Sequence, residues 1–437
     1  MLEALQNAFR LPDIRRKILF TLFILVIYQF AAHISVPGVD RDVLEALFDN
    51  QEGGFLGVLD LLSGGAVSNF SIIANGVYPY ITASIILQLL VPIIPALERI
   101  AREPGGQDKI TRYTYYLAIP MAILQSVGQI NIFESLIQGS GDLLPGFGSD
   151  TLLTITVIAT MTAGTMFAIW LGELISEQGI GNGISIIIFS GIVSRAPSSL
   201  YNLLQNNWFY NAVLFILLVF ITVVVIVLIQ EGTRRIPVQY GKRVRGRKVY
   251  GGGSTHIPLK VNTAGMIPLI FAQSIITFPA IVASYFPSGS VSDYLTENFG
   301  NARGTPYWVI YFILVVGFTY FYTDVMVQNQ NLAENLQKNG GFVPGLRPGK
   351  RTQDYITTVV RRITFVGALF LGAVAILPAL VQILDSVVIG SAASSTSLNA
   401  ANVIGPSGLI IVVGVVIDTM RQLEAQLMMR NYDGFLR

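Results

Sequence analysis

Phe55-Leu56-Gly57-Val58-Leu59-Asp60-Leu61-Leu62-Ser63-Gly64-Gly65-Ala66 opens the passage that decides the fold. The run is apolar but about half the ~20 residues a spanning helix needs. Gly64-Gly65 then breaks it, because paired glycines end a helix at little cost. A second apolar stretch follows, from about Ile72 to Ile94, through Gly76-Val77-Tyr78-Pro79-Tyr80-Ile81-Thr82-Ala83-Ser84-Ile85-Ile86-Leu87-Gln88-Leu89-Leu90. Irregular backbone at membrane depth is tolerated only inside protein or beside a water-filled cavity. A half-crossing segment with Asp60, Ser63 and two glycines therefore argues for an aqueous interior. An interfacial helix leading into an ordinary span is the alternative.

Working outward, 52% of the 437 residues are hydrophobic and only 12% are charged. Soluble domains average about 25% charged residues, so this is an all-α, polytopic membrane protein. Cysteine is absent and His33 and His256 are the only histidines, which excludes disulfides and cysteine chemistry and argues against a histidine-rich metal site. The charged N-terminal stretch runs into a long apolar segment without a small-residue cleavage site, so it reads as the first helix.

Apolar length predicts ten spans, about 18–36, 72–94, 111–133, 151–172, 183–201, 210–230, 262–284, 306–326, 360–381 and 404–426. Spans three, five and seven are less purely apolar. Gln125, Gln129, Asn262 and Gln273 are polar positions of the kind that face other helices or a cavity. With the basic residues at span ends counted into the adjoining loops and termini, 25 of the 28 Lys and Arg residues fall on one side of the membrane and 3 on the other. Cytoplasmic loops carry the excess of positive charge, so both termini are expected in the cytoplasm.

Two cytoplasmic loops stand out. The 6/7 loop, about 231–261, holds eight basic residues among alternating Val and Tyr with Gly breaks, the pattern of a short ribbon with a basic tip. The 8/9 loop, about 327–359, contains Gly340-Gly341-Phe342-Val343-Pro344-Gly345-Leu346-Arg347-Pro348-Gly349-Lys350-Arg351, a rigid turn displaying arginine. Such charges either enforce topology and touch anionic lipid, or dock ribosomal RNA or an acidic partner. Spans two and seven both carry an internal proline, Pro79 and Pro268. This hints at two inverted five-helix halves, 1–201 and 202–437, with a pathway between them.

The chain carries no His-Glu-x-x-His, P-loop or Gly-x-Ser-x-Gly pattern, so no enzyme is indicated. Gly139-Ser140-Gly141-Asp142 matches the Gly-x-Gly-Asp of intramembrane aspartyl proteases, but lies in an external loop without a second mid-span aspartate to share its proton. The glycines of Gly179-Ile180-Gly181-Asn182-Gly183 suit a tight turn between spans four and five. A secondary transporter needs ionisable groups at mid-membrane, whereas Glu173, Asp324 and Asp418 all fall near predicted cytoplasmic ends. The polar-looking spans instead present aliphatic residues one turn apart, Val77 with Ile81 and Ile184 with Ile188. Such residues are usually packed or lipid-facing; as a collar they would seal a wet funnel by dewetting.

The chain resembles the SecY family, the channel subunits of the bacterial Sec protein translocon, from end to end. The resemblance rests on Gly76 to Gln88, on Trp170-Leu171-Gly172-Glu173-Leu174-Ile175-Ser176-Glu177-Gln178 running on through Gly183-Ile184-Ser185, on Ser254-Thr255-His256-Ile257-Pro258-Leu259-Lys260-Val261-Asn262, on Phe342 to Gly349, and on Asp418 to Met429. Asn75 departs from it, since the family usually has an apolar residue before that glycine.

The resemblance implies ten transmembrane helices in two inverted five-helix halves around an hourglass pore, with a half-helix plug at about 56–69. The pore ring would be Val77, Ile81, Ile184, Ile188, Ile270 and Ile411. The plug would include Leu56, Leu59, Asp60, Leu62, Ser63, Gly64 and Gly65. A lateral gate between spans two/three and seven/eight would hold Thr82, Gln88, Thr277 and Phe278. Lys242, Arg243, Arg247 and Arg347 would dock the ATPase SecA or the ribosome. SecE and SecG are the implied membrane partners, signal peptides and nascent or unfolded polypeptides the implied clients, and the bacterial inner membrane the implied location. No cofactor is implied. The expected function is a passive channel that passes unfolded chains across the membrane and releases apolar segments sideways into lipid.

Overall fold

The computed structural model describes residues 11–44, 63, 65–136, 143–205, 208–240, 243–245, 248–250, 254–283, 294–295, 298–299, 305–330, 332–377, 379 and 406–435. The described residues form twelve helices and five strands. The helices are α1 (Pro12–Ala31), α2 (Tyr78–Leu90), α3 (Pro95–Arg102), α4 (Gly106–Leu136), α5 (Thr151–Gln178), α6 (Gly183–Gln205), α7 (Trp208–Glu231), α8 (Ile267–Ala283), α9 (Thr305–Gln330), α10 (Leu332–Lys338), α11 (Lys350–Ala375) and α12 (Pro406–Phe435). The strands are β1 (Thr233–Tyr240), β2 (Arg243–Arg245), β3 (Lys248–Tyr250), β4 (Ser254–Lys260) and β5 (Gly341–Phe342).

Each of the ten predicted spans falls on a helix. Among the described residues, α4, α5, α9 and α11 include a stretch long and apolar enough to cross a bilayer alone, and the pair α2–α3 makes a fifth. That pair is bent by 105°. The bend falls at Pro92 and Pro95, which interrupt the backbone ladder. Shorter apolar helical stretches lie at Gly183–Ser194, Val219–Glu231 and Ile267–Ile276.

Span two begins later than its apolar run. The backbone turns from Ile72 through Val77 and becomes helical only at Tyr78. Gly76 adopts φ +52° there, a conformation that suits glycine and stops a helix from extending backwards. Pro79 is consequently an N-terminal rather than an internal proline, where its missing N–H costs nothing. Pro268 is the same case, as the second residue of α8. Among the described residues, the prolines inside helices are Pro120, Pro197 and Pro279.

The N-terminal helices α1–α6 and the C-terminal helices α7–α12 meet on two sides. On one, α2 and α4 pack on α8; on the other, α6 packs on α7 and α12. A buried cluster lies between them, fed by α1, α2, α5, α6, α8 and α12. A second cluster joins Phe70 and the turn around it to the end of α4 and the start of α5, with Phe70 and Phe133 edge to face at 5.3 Å.

The 6/7 loop is a ribbon, as its alternation predicts, but larger. Strands β1 and β4 pair antiparallel from Thr233↔Lys260 to Gln239↔Ser254, and β2 and β3 form a second antiparallel pair beyond them. The 8/9 loop joins the same sheet, whose order is β4-β1-β5, through Gln239↔Phe342 and Tyr240↔Gly341. Ile236, Val238, Leu259, Val343, Ile356 and Val360 form a small core beneath it.

Candidate functional site: an apolar collar between two sets of helices

Val77 caps the N-terminus of α2, and the backbone N–H of Ile81 donates to its carbonyl at 3.2 Å. The two side chains therefore lie one turn apart. Ile184 and Ile188 repeat the arrangement in the first turns of α6, after a turn in which Gly181 adopts φ +85°. That turn is tight: a methyl group on Gly183 would lie 1.8 Å from the carbonyl oxygen of Gly172. Ile270 lies in the first turn of α8, its N–H 3.5 Å from the carbonyl of Met266, and Ile411 lies near the start of α12.

These six residues come together in one cluster. Val77, Ile81, Ile188 and Ile411 are buried in it, and Ile184 and Ile270 pack against it half-buried. Four separate helix beginnings thus converge on one aliphatic patch. Such a patch offers no hydrogen bond to a passing group, so its contacts are compliant and indifferent to sequence.

One seam beside the collar is bridged by polar groups. The Tyr78 hydroxyl on α2 lies 3.5 Å from the carbonyl oxygen of Gln273 on α8, as donor, and the Gln273 Nε2 reaches the Tyr307 hydroxyl on α9 at 3.4 Å. Thr82 donates to the carbonyl of Pro79 at 2.9 Å and accepts from Gln125 Nε2 on α4 at 3.5 Å. Gln88 donates to Ser84 Oγ at 3.1 Å within α2. Thr277 and Phe278 lie farther along α8. Gln273 was legible as a polar residue in a span. Nothing in the sequence singled out Tyr78 or Tyr307 as its neighbours, because that pairing joins residues far apart in the chain.

Of the plug positions, Ser63 and Gly65 are described; Leu56, Leu59, Asp60, Leu62 and Gly64 lie outside the described residues, as does Gly139–Asp142. The Ser63 carbonyl accepts the Tyr28 hydroxyl at 3.3 Å, and Ser63 Oγ accepts the Val67 N–H at 3.2 Å. The stretch after it is stitched to the segment after α1: Val36 N–H donates to Phe70 O at 2.9 Å and Ile72 N–H to Ile34 O at 2.9 Å.

Among the docking positions, Arg347 is exposed on a turn held by Gly345 and Gly349, both at positive φ, and by Thr352 Oγ1 donating to the Arg347 carbonyl at 2.9 Å. Arg243 lies in β2, while Lys242 and Arg247 lie outside the described residues. Ion pairs tie the helices to one another. Arg421 on α12 meets Glu231 at the end of α7 at 2.7 Å. Arg361 on α11 makes a forked pair with Asp324 on α9, at 3.0 and 3.3 Å.

The SecY family model matches residues 71–420. A protein translocase subunit SecY of Halalkalibacterium halodurans is 43% identical over 452 residues, covering 100% of both chains. Those of Streptomyces coelicolor and Bacillus licheniformis are each 41% identical, again over the full length of both chains. A solved structure described as a protein conducting channel superposes with TM-score 0.62 at 18% identity, over 94% of this chain and 92% of that one. Sec61 in a canine ribosome–channel complex does so with TM-score 0.60 at 18% identity, over the same shares. The multi-pass helical fold, the aliphatic convergence between its two sets of helices and a family match over most of its length lead to one conclusion: the chain belongs to the SecY family.

Proposed function

We propose that this protein is a protein-conducting channel of the bacterial inner membrane. It passes unfolded, signal-bearing polypeptides through the collar and releases apolar segments sideways between α2/α4 and α8/α9. The observation that carries this reading is the convergence of Val77, Ile81, Ile184, Ile188, Ile270 and Ile411 in one cluster. Water is expelled from such a constriction when no chain fills it, and branched side chains yield to a chain of any sequence.

The two sets of five spans are inverted halves, with both termini in the cytoplasm, as the distribution of positive charge supports. The segment at about 56–69 acts as the plug that blocks the channel when no chain is present. Lys242, Arg243, Arg247 and Arg347, on loops joined in one sheet, form the cytoplasmic docking surface for SecA or the translating ribosome. SecA or the ribosome drives the chain, and the channel itself acts as a passive conduit rather than an enzyme. SecE and SecG complete the complex. At the seam, a segment apolar enough to prefer lipid partitions out, and Thr82, Gln88, Thr277 and Phe278 line its way.

Ion conductance in planar bilayers tests the reading, with the intact chain compared with a variant lacking residues 57–67. The intact protein is expected to stay silent and the deletion to open a large, weakly selective pore. Silence from both, with saturable passage of a small solute, would overturn the channel in favour of a transporter.

A further inference from the structure

Asn75 is an amide buried two residues before the collar, only 8% exposed. Its Nδ2 donates to Ser126 Oγ on α4 at 2.7 Å. Ser126 is fully buried, and its own hydroxyl proton is engaged with the carbonyl of Ala122 at 2.7 Å. The hydroxyl is therefore oriented as an acceptor, and only a donor at position 75 completes it.

The placement of this pair gives it a task. Upstream, the chain is fastened to the segment after α1 by Ile72 N–H on Ile34 O at 2.9 Å and packed against Gly164 of α5. Downstream come Gly76, at φ +52°, and then Val77 of the collar. Beyond Asn75 the start of α2 is restrained by turn hydrogen bonds, Gly76 N–H to Ile73 O at 2.7 Å and Tyr78 N–H to Asn75 O at 3.2 Å. Glycine adds the least stiffness of any residue. Asn75 is thus the last side-chain anchor before Val77.

We infer that Asn75 is a positioning residue for the collar: its bond to Ser126 holds the Val77 rung in the sealed arrangement and sets the resting leak of the channel. The inference rests on the collar reading above. A buried hydrogen bond is worth about 1 kcal/mol net, so its loss shifts the balance between sealed and leaking forms about fivefold.

The test is resting ion conductance of the full-length chain in planar bilayers, with equal amounts of inserted protein. Asn75→Leu, which fills the space without a donor, and Ser126→Ala are each expected to raise the leak about fivefold. The double variant is expected to leak no more than either single one, since both remove the same bond. A residue that merely fills space would leave Asn75→Leu sealed, and that result, or additive effects in the double variant, overturns the inference. Should either variant fail to insert, Asn75→Ala and Ser126→Val replace them with the same expectation. Ile188→Gly separates the two levels of the argument. If it leaks while the Asn75 and Ser126 variants stay silent, Asn75 has no such role; if it too stays silent, the collar itself is wrong.

Discussion

A methyl group at Gly164 would lie 1.8 Å from the carbonyl oxygen of Ile72 and 2.5 Å from its carbon. Helix α5 therefore touches the turn leading to the collar backbone to backbone, at a distance no side chain tolerates. Gly164→Ala is expected to lower stability by about 1–3 kcal/mol, the usual range for overpacking, read as a fall in unfolding temperature in detergent. Gly317→Ala is the control, because nothing lies within 4 Å of an added methyl there, and it should unfold no earlier than the parent. In sequence Gly164 is one small residue in an apolar run. Its necessity becomes visible only when the segment around Ile72, some ninety residues earlier in the chain, is laid across it.

The sheet that unites the 6/7 and 8/9 loops belongs to the scale of elements. Its third strand is only Gly341–Phe342, and a methyl at Gly341 would sit 3.0 Å from the Tyr240 ring. Gly341→Pro crowds that ring and puts proline, which strands tolerate poorly, into the third strand. The 8/9 turn is then expected to open more often, and trypsin to cut at Lys350 and Arg351, both exposed, about fivefold faster, the rate tracking local opening for ~1 kcal/mol of lost pairing. An unchanged cutting rate would show that α10 and α11 hold the turn without β5. The joint sheet also explains how the two loops stay in register: β1 follows directly on α7 and β4 leads towards α8, and the core of Ile236, Val238 and Leu259 rests on Ile356 and Val360 of α11.

At the scale of the whole molecule, charges gather at the foot of this sheet. Lys260, at the end of β4, pairs in register with Thr233 and is half-buried. Its pKa is lowered, first by burial and then by the positive charge of Arg421, against the opposing pull of Asp418 and Glu231. The unfolded chain thus binds this proton more readily than the folded one in the pH range just below the ordinary lysine value. Folding stability attributable to Lys260 is accordingly expected to rise with pH through that window. Lys260→Met should flatten this rise when unfolding temperatures of the two proteins are compared across the alkaline range. A difference that stays constant with pH would show that the lysine keeps its ordinary pKa.

Much of the architecture was legible beforehand because a bilayer imposes local rules. A spanning helix must satisfy its own backbone, so apolar length locates it without reference to any distant residue. The ten helical stretches, the ribbon in the 6/7 loop and the glycine turn before α6 all follow from neighbours in the chain. The late start of α2 was hidden, because its residues from Ile72 on are as apolar as those of a helix and only the positive φ of Gly76 halts it. The joining of β5 to β1, the reach of Tyr78 to Gln273 and the bond from Asn75 to Ser126 were decided by tertiary structure alone. Each of these joins residues that hydropathy treats independently, and only folding brings their atoms within hydrogen-bonding distance.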